Sequence, residues 1–176
     1  MKVIGIVPAV ENMPAGSAQR PGDIVRSHAG LTIEIINTDA EGRLILADAL
    51  SWARRFKPAA LVDIATLTGA CAVALGNVVA GLMGTDRKVL DAVRQAGETT
   101  GENVWELPLR EEYAKQMEGT CSDLVNSCEK RVGGALTAAG FLSRFAEGTP
   151  WAHLDIAGTA WTSYTGLPSI PKGGAS

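Results

Sequence analysis

The chain has 176 residues, 46% of them hydrophobic and 20% charged, with a formal net charge of −3 and a pI near 5.4. That length suits one domain with a sizeable core, the composition excludes a disordered or fibrous chain, and the mildly acidic balance gives no electrostatic reason to expect a nucleic-acid or membrane partner. Cys71, Cys121 and Cys128 are odd in number and lack C-x-x-C spacing, and no secretory pattern opens the sequence, so the expectation is a cytoplasmic protein with buried, reduced thiols.

Residues 2–7, within MKVIGIVPAVEN, read as a buried strand. The loop ENMPAGSAQRPGD follows, with turn chemistry at Met13-Pro14, Ala15-Gly16 and Pro21-Gly22. DIVRSHAGLTIEIIN reads as two strands around a turn at Ala29-Gly30, because Leu31, Ile33 and Ile35 alternate with Thr32 and Glu34. From Gly42 the period lengthens. Leu44, Leu46, Ala47, Leu50 and Ala53 fall near helical spacing, Arg54, Arg55 and Lys57 crowd the end where the helix dipole favours cations, and Pro58 closes the helix.

AALVDIATL (59–67) is an almost unbroken apolar run, the pattern of a central strand covered on both faces. NVVAGLMG (77–84) predicts another strand. The nearly uncharged stretch TLTGACAVALGNVVAGLMGT therefore reads as buried strands joined by a glycine-rich loop rather than as a membrane span. DRKVLDAVRQAGETTG predicts a helix with Asp86 near its start. Residues 105–132 look irregular apart from a short helix near 110–117. GGALTAAGFLSRFAEG (133–148) predicts a closely packed small-residue helix, and WAHLDIAG (151–158) a last strand. Strands alternating with helices imply an α/β fold with a mixed, largely parallel sheet flanked by helices, and ligands of such sheets gather where strands pass into helices.

NTDAEGR (37–43) sits at one of those junctions. Thr38-x-x-Glu41 has capping-box spacing, with Asp39 as a first-turn acid favoured by the helix dipole. The same residues admit a chemical reading. Asp39 and Glu41 are two hard carboxylates at i and i+2 that suit a divalent cation, and Arg43 offers a fixed positive charge for an anion or a developing oxyanion.

The longer string decides the weighting. NTDAEGRLILADAL resembles the signature of the leucine aminopeptidase (cytosol aminopeptidase) family, and the likeness runs through IVPAVENMPAGSAQRPGDIV, DIATLTGACAVALG, GGALTAAGFLSRF and WAHLDIAG in the same order. The resemblance implies a zinc-exopeptidase-like three-layer domain and a two-metal hydrolase, holding Mn2+ or Zn2+, that releases leucine-like N-terminal residues from peptides. By that resemblance Asp39 ligates one metal, Glu41 bridges two, and Arg43 holds a bicarbonate-like anion that orders the attacking water. Asn37 and Ala40 line the substrate pocket, and Thr66, Leu67 and Gly69 bind substrate backbone and shape specificity. It also implies a homo-oligomer, a hexamer for an intact member.

The family further uses two lysines and two more aspartates, in a motif of the type G-K-G-x-x-F-D-S-G-G and the helix after it. None of Lys2, Lys57, Lys88, Lys115, Lys130 and Lys172 has that context, and the C-terminal PKGGAS stops before the family's usual G-x-G-V-R strand. The expectation is therefore the C-terminal portion of a peptidase catalytic domain over 1–176, incomplete at both ends and without the regulatory domain. Such a chain would bind metal weakly and be inactive alone, or would serve as a non-catalytic remnant.

Among the remaining residues, His153 reads as a hydrogen-bonded core histidine and His28 as a solvated turn residue. Asp63 and Asp155 lie in apolar strands and need partners, with Asp63 placed to support the 66–69 loop. Gly133-Gly134 fits either an anion cradle or close packing. Cys71 lacks a paired histidine for a nucleophile's role. Trp105, Trp151 and Trp161 suit core or interface anchors.

Overall fold

The computed structural model describes residues 1–128 and 132–161. Lys130, Lys172 and the PKGGAS end lie outside them. Among the described residues the order is β1 (Ile24–Arg26), β2 (Thr32–Glu34), α1 (Gly42–Ala53), β3 (Leu61–Ala65), α2 (Gly69–Leu75), β4 (Ala80–Gly84), α3 (Arg87–Thr100), β5 (Val104–Glu106), α4 (Glu111–Lys115), β6 (Leu124–Val125), α5 (Gly134–Ser143) and β7 (Trp151–Asp155).

One sheet has the order β3-β7-β4-β5, with β7 parallel to β3 and antiparallel to β4, and β4 parallel to β5. A smaller sheet, β1-β2-β6, pairs an antiparallel hairpin with a parallel third strand. The hairpin turns at Gly30, whose φ of 86° is one that glycine alone adopts cheaply. The fold is α/β with mixed sheets, as the element pattern predicts.

Side-chain alternation divides the larger sheet into two faces. Trp151, Met83 and Leu61 face a core built on Phe141, Leu142 and Phe145 of the α5 region, Ala47 and Leu50 of α1, and Ile33 and Leu124 of the smaller sheet. Leu82, Ala152 and Leu154 face the opposite way, onto Leu90, Val89 and Val93 of α3. Helices thus cover β7 and β4 from both sides. α5 is small for a reason: a Cβ on Gly140 would stand 2.8 Å from the backbone nitrogen of Ala114, so α4 crosses α5 at backbone contact. α3 begins as its sequence predicts, with the Asp86 carboxylate accepting from the Val89 N–H at 3.0 Å, and ends at Gly101 with φ 83°.

Three elements differ from the sequence-based expectation. Residues 2–7 form no strand; all but the half-buried Ile6 are exposed, and their backbone finds no hydrogen-bond partner among the described residues. A strand needs a ladder, whatever its side chains prefer. β3 is an edge strand, with Val62 49% and Ile64 59% exposed, rather than a strand covered on both faces. The link between β3 and β4 carries a helix, α2, where a loop is expected, because Thr68 caps it by accepting from the Cys71 N–H at 3.1 Å. Among the tryptophans Trp151 is a core residue, while Trp105 and Trp161 are exposed. The free thiols also differ in burial: Cys71 is buried, Cys128 half-buried and Cys121 exposed. No helix among the described residues is long and apolar enough to cross a membrane.

Candidate active site

Ile33 and Ile35 are buried and pin β2, so the chain leaves the sheet at a defined point. Asn37 stays extended, at φ −135° and ψ 121°, and its side chain accepts from the Asp39 N–H at 3.0 Å. A 3-10 turn, Thr38–Ala40, follows and buries Ala40. Glu41 is already helical and leads into α1 without a side-chain cap bond. The capping box expected at Thr38 and Glu41 is therefore replaced by an Asn37 cap one residue earlier. This frees both acids. The exposed Asp39 carboxylate has no hydrogen-bond partner among the described residues, and Glu41 accepts only from Asn12 Nδ2, at 3.2 Å.

Arg43 lies in the first turn of α1, two residues beyond Glu41 and four beyond Asp39. Its Nη1 donates to the Asn126 carbonyl at 2.9 Å, while its Nε is buried without a partner. Burial pushes the guanidinium pKa down, opposed by the neighbouring Cys128, Asp155 and Glu41. Arginine nonetheless remains charged, so an unsatisfied N–H belongs to a cation that feels the Asp155 and Glu41 carboxylates. Such an orphan donor fits a small anion.

The second loop joins β3 to α2 and is held by Asp155 at the end of β7. This fully buried carboxylate accepts from the Leu67 and Thr68 amides at 3.2 and 3.3 Å and from the Thr68 hydroxyl at 2.6 Å. A Cβ on Gly42 would lie 3.8 Å from Leu67 Cδ1, so the loop touches the start of α1. The fold thus gathers Asn37, Asp39, Ala40, Glu41 and Arg43 in one turn and brings Leu67 against it. Thr66 and Gly69 are exposed on the same loop. Two shallow depressions elsewhere, one lined by Arg110 and Glu111 and the other by Val10 and Trp52, involve none of these residues.

Asp63, expected beside the 66–69 loop, instead spends its oxygens on Trp151 Nε1 and His153 Nδ1, each at 2.6 Å. His153 is fully buried there, as a core histidine, and the loop's support comes from Asp155. His28 is exposed in its turn, bonded to Ser51 Oγ at 2.7 Å. Gly134 serves packing, since a Cβ there would stand 2.9 Å from that of Ala70, and Gly133 before it adopts a φ of 62°. The Cys71 thiol is pushed up to about 11 by burial first and Asp155 second, which fits an inert core thiol. Asn126, central to the turn, carried no local signal in the sequence, since its partners lie 83 to 92 positions away.

A sequence model described as the cytosol aminopeptidase family, catalytic domain, matches residues 1–176. The chain belongs to that family. It is 56% identical over 173 residues to a probable cytosol aminopeptidase of Geobacter sulfurreducens, covering 98% of this chain and 34% of that protein. Relatives of the same description from Nitrosomonas eutropha and Burkholderia mallei are each 57% identical over 163 residues, covering 93% of this chain and 33% and 32% of theirs. The chain therefore spans about a third of the length of these cytosol aminopeptidases. The donor set agrees with the family's metal chemistry in kind. Asp39 and Glu41 are hard oxygen donors; among the described residues the first has no hydrogen-bond partner and the second only Asn12, although no cluster of three or more His, Cys, Asp or Glu gathers there.

Proposed function

We propose that this chain supplies part of the active site of a metal-dependent aminopeptidase that releases leucine-like N-terminal residues from peptides. One observation carries the reading. The strand-to-helix turn leaves Asp39 and Glu41 free of backbone bonds, and Arg43, with its orphaned Nε, follows them within four residues. A pair of divalent ions, Mn2+ or Zn2+, would supply Lewis acidity and a water of lowered pKa when bound. In this reading the carboxylates of Asp39 and Glu41 would hold those ions. Arg43 would hold a bicarbonate-like anion, which would supply a base for the attacking water. Asn37 and Ala40 form the wall of the substrate pocket, and Thr66, Leu67 and Gly69 receive the substrate backbone. The protein acts in the cytoplasm as a homo-oligomer, hexameric when complete.

We further infer that residues 1–176 form the C-terminal portion of the catalytic domain. Two carboxylates are too few to close a metal site, so the chain alone holds metal weakly and does not turn over peptides, or acts as a non-catalytic remnant. Hydrolysis of Leu-p-nitroanilide with added Mn2+ or Zn2+ tests this. No turnover by the chain alone is expected; turnover that Glu41→Ala abolishes would mean a complete site and overturn the partial-site reading.

A further inference from the structure

We propose that Asn126 is the positioning residue of this site, setting the Asp39 turn and the head of Arg43 with one side chain and one carbonyl. The inference rests on the metallopeptidase reading for its purpose, while its geometry stands independently.

Asn126 follows β6 and is fully buried. Its N–H donates to the Glu34 carbonyl at 3.0 Å, which ties it to the end of β2. Its Oδ1 accepts from the Ile36 and Asn37 amides at 2.8 and 3.2 Å, and its Nδ2 donates to the Asn37 and Ala40 carbonyls at 2.7 and 3.4 Å. All four capacities of the amide are thereby used, and the partners fix which end is oxygen: two N–H groups face one side and two carbonyls the other. Its own carbonyl takes Arg43 Nη1 at 2.9 Å. The separation between the carboxylates and the guanidinium is therefore set by a single residue, through groups that belong to neither. Asparagine is required because the cradle needs both signs. Aspartate would retain the two accepted bonds and press an oxygen against two carbonyls, whereas alanine would release all four.

The test is Mn2+ titration of the ¹⁵N-labelled chain, reading paramagnetic broadening of the amides of residues 38–43. In the unsubstituted chain broadening should centre there and vanish in Asp39→Asn and Glu41→Gln. If it does not, the metal reading of the site falls and the positioning role with it, before any change at Asn126. In Asn126→Ala and Asn126→Asp the apparent dissociation constant should rise about tenfold, while the Leu82 and Leu154 resonances of the larger sheet stay in place. A rise of less than threefold, with those resonances unchanged, overturns the proposal alone; threefold or more supports it. Should both variants unfold, hydrogen exchange in the unsubstituted chain decides. The Ile36 and Asn37 amides must exchange at least a hundredfold more slowly than that of Thr38, and equal rates overturn the clamp.

Discussion

Asp155 shows how much one buried side chain can hold. Its carboxylate accepts from two amides and a hydroxyl of the 66–69 loop, and Asp155→Ala leaves those three donors unmet in the interior. At roughly 1 kcal/mol or more for each stranded group, the loss should reach at least about 3 kcal/mol in urea denaturation, with faster exchange at Leu67 and Thr68. Cys71 makes a prediction of a different kind. Its thiol is pushed up to about 11 from an ordinary value of 9.0, so the folded chain keeps a proton that the unfolded chain gives up in that interval. Proton binding is then greater in the native state, and stability must fall as pH rises from 9 toward 11, at up to about 1.4 kcal/mol per pH unit. Urea midpoints across that range should drop less in Cys71→Ala. Below pH 8 iodoacetamide should label the exposed Cys121 and spare Cys71.

At the level of elements, contacts between helices decide the sign of substitutions that propensity alone would misjudge. Gly140→Ala gains roughly 1 kcal/mol of helix propensity, but its methyl would stand 2.8 and 3.0 Å from backbone atoms of Ala114, which cannot swing aside. Overpacking of about 1–3 kcal/mol should prevail, and a lowered urea midpoint checks it. The α3 helix, the β1–β2 hairpin and β4 were legible because cap, turn and alternation are local. The Asn37 cap was misplaced by one residue, since the 3-10 turn that shifts it depends on Asn126 far along the chain. For the same reason the carboxylates and Arg43 could be picked out from their spacing and family likeness, while Asn126 and the part played by Asp155 could not.

Across the whole molecule, a strand's neighbours are the least readable property of its residues. Residues 2–7 and β3 carry the apolar composition of buried strands, yet among the described residues the first segment is unpaired and β3 pairs on one side only. An open edge with Val62 and Ile64 exposed invites association. Ile64→Lys should reduce concentration-dependent association in light scattering and leave the urea midpoint within about 0.5 kcal/mol of its starting value. The order β3-β7-β4-β5 also has a bearing on biosynthesis. Of the two interior strands, β7 is translated after all its companions, and among the described residues it bridges β3 to β4. At about 5–20 residues per second, β3 waits several seconds on the ribosome for the neighbour that completes it. Its apolar residues face solvent throughout that delay, so this sheet closes only after residue 155 has emerged, and until then the nascent chain carries an unpaired apolar strand.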